Sequence, residues 1–378
     1  MKILHISKYF PPIYGGIENQ AKYICDYLSK KKQSVQVLAF GKKTGIRLNK
    51  YKIYEFKPLI NLMSQPISLR FIFSAKKIIQ NNDIIHFHYP NVIGLITCFL
   101  FATNKILYVH WHSDIVKQRY LNFLFLIVEK KILNNAKRII FTSKIYANQF
   151  KYYNLYKHKI VTINCGTHDL SKDFNRNKVI KKNYLKLQNK YKKFNIIYSI
   201  GRLVKYKGFK YLIEASKDLD QNTRVIIAGD GQEFKSLSKI ILENNLEKKV
   251  FLLKEISHHD HLSYLKLCKV FCLPSIDRSE AFGIVLIEAM TFSKPIISTK
   301  IKGSGINWVN VDQITGFKVP IKDPKKLSFN LTKIIKDKNN YKKMSINSKK
   351  RYQKFFTSNL MNKNFYKLYK SDYEANRK

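Results

Sequence analysis

Short apolar runs bounded by turn residues recur along the chain, and the stretches between them carry apolar residues at helical spacing. In the first half, Ile3–Ile6, Val35–Phe40, Ile53–Phe56, Ile84–Phe87, Ile106–Val109, Ile139–Thr142 and Ile160–Ile163 read as strands. In the second half the same reading falls on Ile196–Ile200, Val225–Ala228, Val250–Leu253, Val270–Leu273, Pro295–Ser298 and Phe317–Val319. Strands alternating with helical patterns predict parallel sheets flanked by helices, an α/β protein. A chain of 378 residues suits two domains, on a prior of about 150 residues each. Ser171–Lys193 is polar and rich in Lys and Asn, so the interdomain connection is expected there, with one domain over 1–170 and another over 171–357. Beyond Pro324 the pattern is helical, with Phe355, Phe356, Phe365, Tyr366 and Tyr369 suited to packing.

Candidate chemistry concentrates in two segments of the second half. Ser279–Met290, SEAFGIVLIEAM, puts Glu280 just outside a predicted helix and Glu288 two turns inside it, so two carboxylates can hold different parts of one ligand. Gly283 permits close approach to the backbone, and the free amides of a helix start attract a diphosphate. A buried amphipathic helix with one capping Glu would also explain the run. About eighty residues earlier, Ser199–Phe209, SIGRLVKYKGF, leaves a predicted strand through Gly201 and carries Arg202 and Lys207 on a loop closed by Gly208. Ligands of open parallel sheets collect at that edge, and a guanidinium and an ammonium suit a diphosphate. The alternative is two of the chain's seventy basic residues on a solvated loop.

In the first half, Gly15 and Gly16 follow an apolar strand and precede a helix bearing Ala21, Ile24 and Leu28 on one side. A diphosphate or an acceptor can approach the backbone there, although an ordinary strand-to-helix turn has the same pattern. VHWHSD, Val109–Asp114, ends another predicted strand.

SIGRLVKYKGF, SEAFGIVLIEAM, the intervening IAGDGQE (Ile227–Glu233) and FPPIYGGIE (Phe10–Glu18) together resemble the family-4 retaining glycosyltransferases of the GT-B fold, from the first residue to about Pro324. The resemblance implies two Rossmann-like domains whose parallel sheets face a central cleft, with a final helix, roughly Ser358–Tyr373, returning to the first domain. It implies transfer of a hexosyl group from a GDP- or UDP-sugar with retention of configuration, without a divalent ion or other cofactor. Under it, His112 matches the active-site histidine, and Arg202 and Lys207 neutralise the departing diphosphate, helped by the backbone at Phe282, Gly283 and Ile284. Glu280 would contact the sugar hydroxyls and Glu288 the ribose. His110, two residues before His112, is taken to face the other way and to be structural. Two segments depart from the family pattern: FLLKEIS (Phe251–Ser257) and KGSGINWVN (Lys302–Asn310). The second resembles a subgroup associated with cell-surface polysaccharide assembly, including lipopolysaccharide, and points to a glycan or polyprenyl-linked acceptor.

The formal charge of +45 has two explanations, a coding bias towards A/T-rich codons or an anionic partner. No nucleic-acid motif is present, so no nucleic-acid partner is expected and an anionic membrane surface is favoured. Local support lies in Lys117–Arg138, six basic residues and one acidic around the apolar run Leu121–Val128. A core helix with basic ends accounts for it equally well. Val92–Thr103 is apolar but too short to span a bilayer, which needs about 20 residues. The start, MKILHIS, lacks a long apolar segment, and Cys25, Cys98, Cys165, Cys268 and Cys272 read as reduced core residues. A cytoplasmic protein, peripheral on the inner face of the plasma membrane, is expected. His86 and His88 alternate on a strand and can share a face. His258, His259 and His261 with Asp260 could bind a metal, but a helix capped by Ser257 or Asp260 with solvated histidines is favoured. Two rivals remain, a nucleoside diphosphate sugar 2-epimerase of similar shape and a basic nucleic-acid-binding protein.

Overall fold

The computed structural model describes residues 1–62, 65–114 and 122–377. The chain divides into two units, Met1–Gly166 with Ser358–Lys378, and Thr167–Thr357.

The first unit is built on an eight-stranded sheet in the order β10-β9-β8-β7-β1-β2-β4-β3. Its strands are Lys2–Tyr9 (β1), Ser34–Phe40 (β2), Gly45–Leu48 (β3), Lys52–Phe56 (β4), Ile84–Tyr89 (β7), Ile106–Trp111 (β8), Arg138–Phe141 (β9) and Ile160–Thr162 (β10). All pair in parallel except β3, which runs antiparallel to β4 at the edge. Ile60–Leu62 (β5) and Gln65–Ile67 (β6) form a separate antiparallel pair. Every residue of β7 and β8 is buried, as expected of central strands covered on both faces. One covering layer consists of the helix Gly16–Lys30, through Ala21, Ile24 and Leu28, and the helix Ser358–Ala375, through Met361, Phe365 and Tyr369. That last helix is also held by Asp372, which accepts from Arg138 at 2.9 Å and from the Tyr108 hydroxyl at 3.0 Å.

The second unit has a six-stranded, all-parallel sheet in the order β13-β12-β11-β14-β15-β16. Its strands are Asn195–Ile200 (β11), Thr223–Ala228 (β12), Val250–Leu253 (β13), Val270–Leu273 (β14), Ile296–Thr299 (β15) and Gly316–Val319 (β16). Ile197, Val225, Ile227, Val270 and Ile297 pack with Leu212, Ile213, Leu237, Leu331 and Ile334 from the helices. Parallel strands joined by helices in both units make this an α/β protein of Rossmann-like sheets.

The polar stretch Ser171–Lys193 is not a linker. It folds as helices Leu170–Arg176 and Lys178–Lys190, joined at Asn177, whose side chain accepts from the amides of Val179 and Ile180. Ile180 and Phe174 are buried, and the Ser263 hydroxyl donates to the Ile180 carbonyl, so a narrow apolar face suffices to dock a surface of lysines and asparagines. The unit boundary lies before it, at Gly166.

Gly208 shows how tightly the loop after β11 is set. Its φ is 67°, and a Cβ there would fall 2.1 Å from the carbonyl oxygen of Pro274. Gly208→Ala therefore forces both a left-handed backbone and a backbone overlap, and an equilibrium unfolding measurement should show a loss of about 2–4 kcal/mol.

Candidate active site

Behind β11 the chain leaves through Gly201 and makes a single 3-10 turn, Lys205–Lys207, before Gly208. This turn carries Lys207 to the carboxyl end of β14, where Ser275 and Glu280 follow the strand. The Lys207 ammonium lies 2.6 Å from Glu280 Oε2, and the Ser275 hydroxyl donates to the same oxygen at 3.0 Å. Both side chains of the pair are only about a tenth exposed, at 11% and 10%. Burial alone would depress the Lys207 pKa, but the adjacent Glu280 carboxylate outweighs it and raises the ammonium above its ordinary value. Arg202 is exposed beside this pair; its charge opposes that rise, and no carboxylate pairs with it among the described residues.

The helix Ile284–Thr291 starts next to this cluster, with Gly283 as its N-cap and no side chain closing its first amides. Free amides and aligned peptide dipoles give that end a partial positive charge. Glu288 sits about one turn into the helix, not two, because the helix begins only at Ile284. Its Oε2 lies 3.3 Å from His261 Nε2, and His261 Nδ1 lies 3.0 Å from the Tyr198 hydroxyl on β11. Two cations, two carboxylates and an open helix start thus gather at the carboxyl edge of one parallel sheet, where α/β proteins bind phosphorylated ligands.

In the first unit, His112 follows the carboxyl end of β8 and belongs to a cluster of five buried imidazoles. His5 Nδ1 lies 3.0 Å from His88 Nε2, and His88 Nδ1 lies 2.9 Å from His112 Nε2. A second line runs from the Tyr369 hydroxyl through His86 to His110, whose Nδ1 is 3.2 Å from His86 Nε2. His110 does not face away from His112, as the sequence reading had it. Residues two apart on a strand share a face, and the two rings lie 3.8 Å apart. Burial pushes His5 and His112 down to about 3, and burial together with the neighbouring rings holds His86, His88 and His110 well below the usual histidine range. All five are therefore neutral at pH 7, and His112 offers hydrogen bonding and no charge. Gly15 is the extended N-cap of the helix Gly16–Lys30, and a Cβ on it would fall 2.3 Å from a Glu18 carboxylate oxygen.

Residues 181–351 match the family model described as glycosyl transferases group 1, and residues 14–169 match glycosyltransferase family 4. The chain belongs to the family-4 glycosyltransferases. It is 27% identical over 375 residues to the O-antigen chain mannosyltransferase C of Escherichia coli, covering 98% of each chain. Among solved structures it resembles sucrose-phosphate synthase of Thermosynechococcus elongatus, with a TM-score of 0.81, 20% identity and coverage of 99% of this chain and 100% of that one. Anabaena HepE in complex with UDP-glucose superimposes with a TM-score of 0.78 at 18% identity, covering 98% and 100%. The fold is GT-B.

Further details bear on the sequence reading. Gly283 has a φ of 77°, and a Cβ there would meet Ile306 at 2.9 Å and Leu273 at 3.2 Å, so the backbone turn and core packing also require a glycine at this position. The Phe282 ring is buried against Phe356, so only its backbone can meet a ligand. Ser257 caps the helix His258–Leu267 by accepting from the Asp260 amide, yet His261 is not solvated. It is 8% exposed and ties Glu288 to Tyr198. Sequence reasoning also missed Ser275 and the partners of His112, although the alternation of His86 with His88 signalled a shared face. All five cysteines are free and buried, and no helix among the described residues is long and apolar enough to cross a membrane.

Proposed function

We propose that this glycosyltransferase moves a hexosyl group from a nucleoside diphosphate sugar to a glycan or polyprenyl-linked acceptor in cell-surface polysaccharide assembly, with retention of configuration and no divalent ion. The observation that carries the reading is the Lys207–Glu280 pair, held at 2.6 Å beside exposed Arg202 and an open helix start. Departure of the nucleoside diphosphate builds negative charge on its oxygens, and fixed positive groups aimed at that charge lower the barrier most. Arg202, the Lys207 ammonium and the amides of Gly283 and Ile284 supply them, which leaves little for a metal ion to do. Glu280 accepts from hydroxyls of the transferred sugar while anchoring Lys207. Glu288, oriented by His261, accepts from the ribose. The acceptor hydroxyl attacks the face the diphosphate leaves, and the departing phosphate takes its proton. The O-antigen relative supports the acceptor class, and the UDP-glucose complex of HepE supports the donor class.

His112 acts as a neutral donor. His5 Nε2 is buried without a partner among the described residues, and an unpaired lone pair is cheaper to bury than an unpaired N–H. The protons of His5 and His88 therefore sit on Nδ1 and point along the line towards His112. That leaves the Nδ1–H of His112 free to donate to a ligand hydroxyl at the carboxyl edge of the first unit's sheet.

A panel of GDP- and UDP-sugars tested by thermal shift identifies the donor, because a ligand bound only by the folded state raises its stability by about 2.7 kcal/mol at a hundred times its Kd. One nucleotide family should shift the transition and the other should not, and transfer in the presence of EDTA should match the untreated rate. No shift with any nucleotide sugar, or loss of transfer in EDTA, sinks the corresponding part of the reading.

A further inference from the structure

The first unit carries an apolar surface that its own fold leaves uncovered. Leu59 is 71% exposed, Ile60 59%, Leu62 51%, Leu69 59% and Phe73 74%. Scattered exposed hydrophobes are ordinary, but Leu59, Ile60 and Leu62 sit on or beside one short strand pair, and Leu69 and Phe73 lie one turn apart on the helix that follows it. Leu59, Ile60 and Leu62 belong to the β5–β6 pair and the residue leading into it, and β6 runs through Ser68 directly into the helix Leu69–Gln80. That helix packs on the helix Val92–Phe101, apolar but for Thr97, and the Gln65 side chain accepts from the Val92 amide, fastening β6 to the start of the same helix.

The charge around this surface has one sign. From Lys57 to Ser113 the sequence contains a single acidic residue, Asp83. Asp83 accepts from the Lys2 amide at 2.8 Å, at the amino edge of the sheet. The β5–β6 pair lies instead at the carboxyl edge, beside the residues that follow β7. Lys57, Arg70, Lys76 and Lys77 are exposed around the apolar residues. The next helix, Asn122–Asn135, adds exposed Lys130 and Lys131, the latter 5.5 Å from the Phe99 ring. Its one carboxylate, Glu129, is buried and paired with Lys151. Apolar side chains rimmed by ammonium groups match the boundary of an anionic bilayer, where the chains enter the acyl layer and the cations meet lipid phosphates.

We infer that the β5–β6 pair and the helix Leu69–Gln80 form the surface by which this enzyme docks on an anionic membrane. The inference rests on the lipid-linked acceptor proposed above and locates the contact. It also differs from the basic stretch Lys117–Arg138 of the sequence reading, whose residues 117–121 lie outside those described. The same carboxyl edge holds His112, because β7 leads to Val92 and His88 on β7 bonds His112 on the β8 side. A polyprenyl chain left in the bilayer would thus present its headgroup close to the sheet edge that holds His112.

The test is co-sedimentation of the full chain with vesicles of phosphatidylethanolamine and phosphatidylglycerol, against vesicles of phosphatidylcholine alone, in low and high salt. Wild type is expected to bind the anionic vesicles and to lose most of that binding at high salt, as exposed charges are screened. The double variant Leu69→Ser, Phe73→Ser should bind about tenfold more weakly, while keeping the donor-induced thermal shift and transfer to a water-soluble acceptor glycan. A second variant, Lys76→Glu with Lys77→Glu, should weaken binding to the anionic vesicles alone. Unchanged binding in the apolar variant, or equal binding of wild type to phosphatidylcholine, overturns the inference. So does a wild-type dimer that the serine substitutions dissolve while vesicle binding stays intact, because the surface would then belong to a second copy. Failure of the wild type to respond to any nucleotide sugar would count against the proposed function and leave the docking result to stand by itself.

Discussion

Lowering the pH from about 7.5 to about 5.5 is expected to cost the first unit up to about 7 kcal/mol of stability. Five imidazoles are buried there in neutral form, His5 and His112 with pKa values of about 3 and His86, His88 and His110 held well below 6.5. The unfolded chain protonates each near 6.5 while the folded chain does not, so the unfolded state binds more protons as the pH falls. Stability is therefore full above about pH 7.5 and falls below 6.5, continuing downward until the folded pKa near 3 is reached. Each histidine contributes about 1.4 kcal/mol over that whole two-unit window, and five together rival the whole stability of a typical domain, about 5–15 kcal/mol. Trp111, stacked 3.8 Å from Tyr89 on the adjoining strand, reports on this unit. With Trp308→Phe it becomes the sole tryptophan, and urea unfolding followed by its fluorescence across the pH range measures the proton uptake directly. A flat stability profile between those pH values would show that the cluster titrates normally, and His5→Asn should remove close to one proton from the slope.

That cluster marks where the sequence stopped being readable. The strands were legible because central parallel strands are buried on both faces and read as unbroken apolar runs. Ile84–Tyr89 kept that character even with two histidines in it. What the sequence could not show is that β1, β7 and β8 lie side by side, so that His5 meets His88 across 83 positions. Pairings of that span have no local signature; they follow from strand order and register. The Lys207–Glu280 pair, 73 positions apart, arises the same way. The β3 edge and the β5–β6 pair escaped notice for the opposite reason, being short and exposed, with too little burial to impose an apolar period. Ser171–Lys193 misled because its lysines and asparagines face solvent and a few residues such as Ile180 do the docking. His261 was misread because a capped helix start places it among polar neighbours in sequence while the fold turns it inward onto Glu288.

Substituting Lys207 by alanine is expected to lower kcat by about a hundred- to a thousandfold, with a smaller change in donor affinity, because the role proposed for the ammonium is to meet charge that exists only as the diphosphate leaves. Glu280→Ala should be similarly severe. The double variant should be little worse than either single one, since both sides of the 2.6 Å pair are lost together and residues acting as a unit do not add. A full thousandfold further loss in the double variant would mean that the two act independently, against the arrangement seen here. Glu280→Gln isolates the electrostatic part. Burial already works against the Lys207 charge, and the neighbouring carboxylate is the main group that holds its pKa above the ordinary lysine value, with a smaller contribution from Tyr206. Without that carboxylate the pKa must fall, so the ammonium is lost at lower pH and the alkaline limb of the transfer profile should move towards neutrality. An alkaline limb identical to wild type would place the charge that neutralises the leaving group somewhere other than Lys207, with exposed Arg202 the next residue to test.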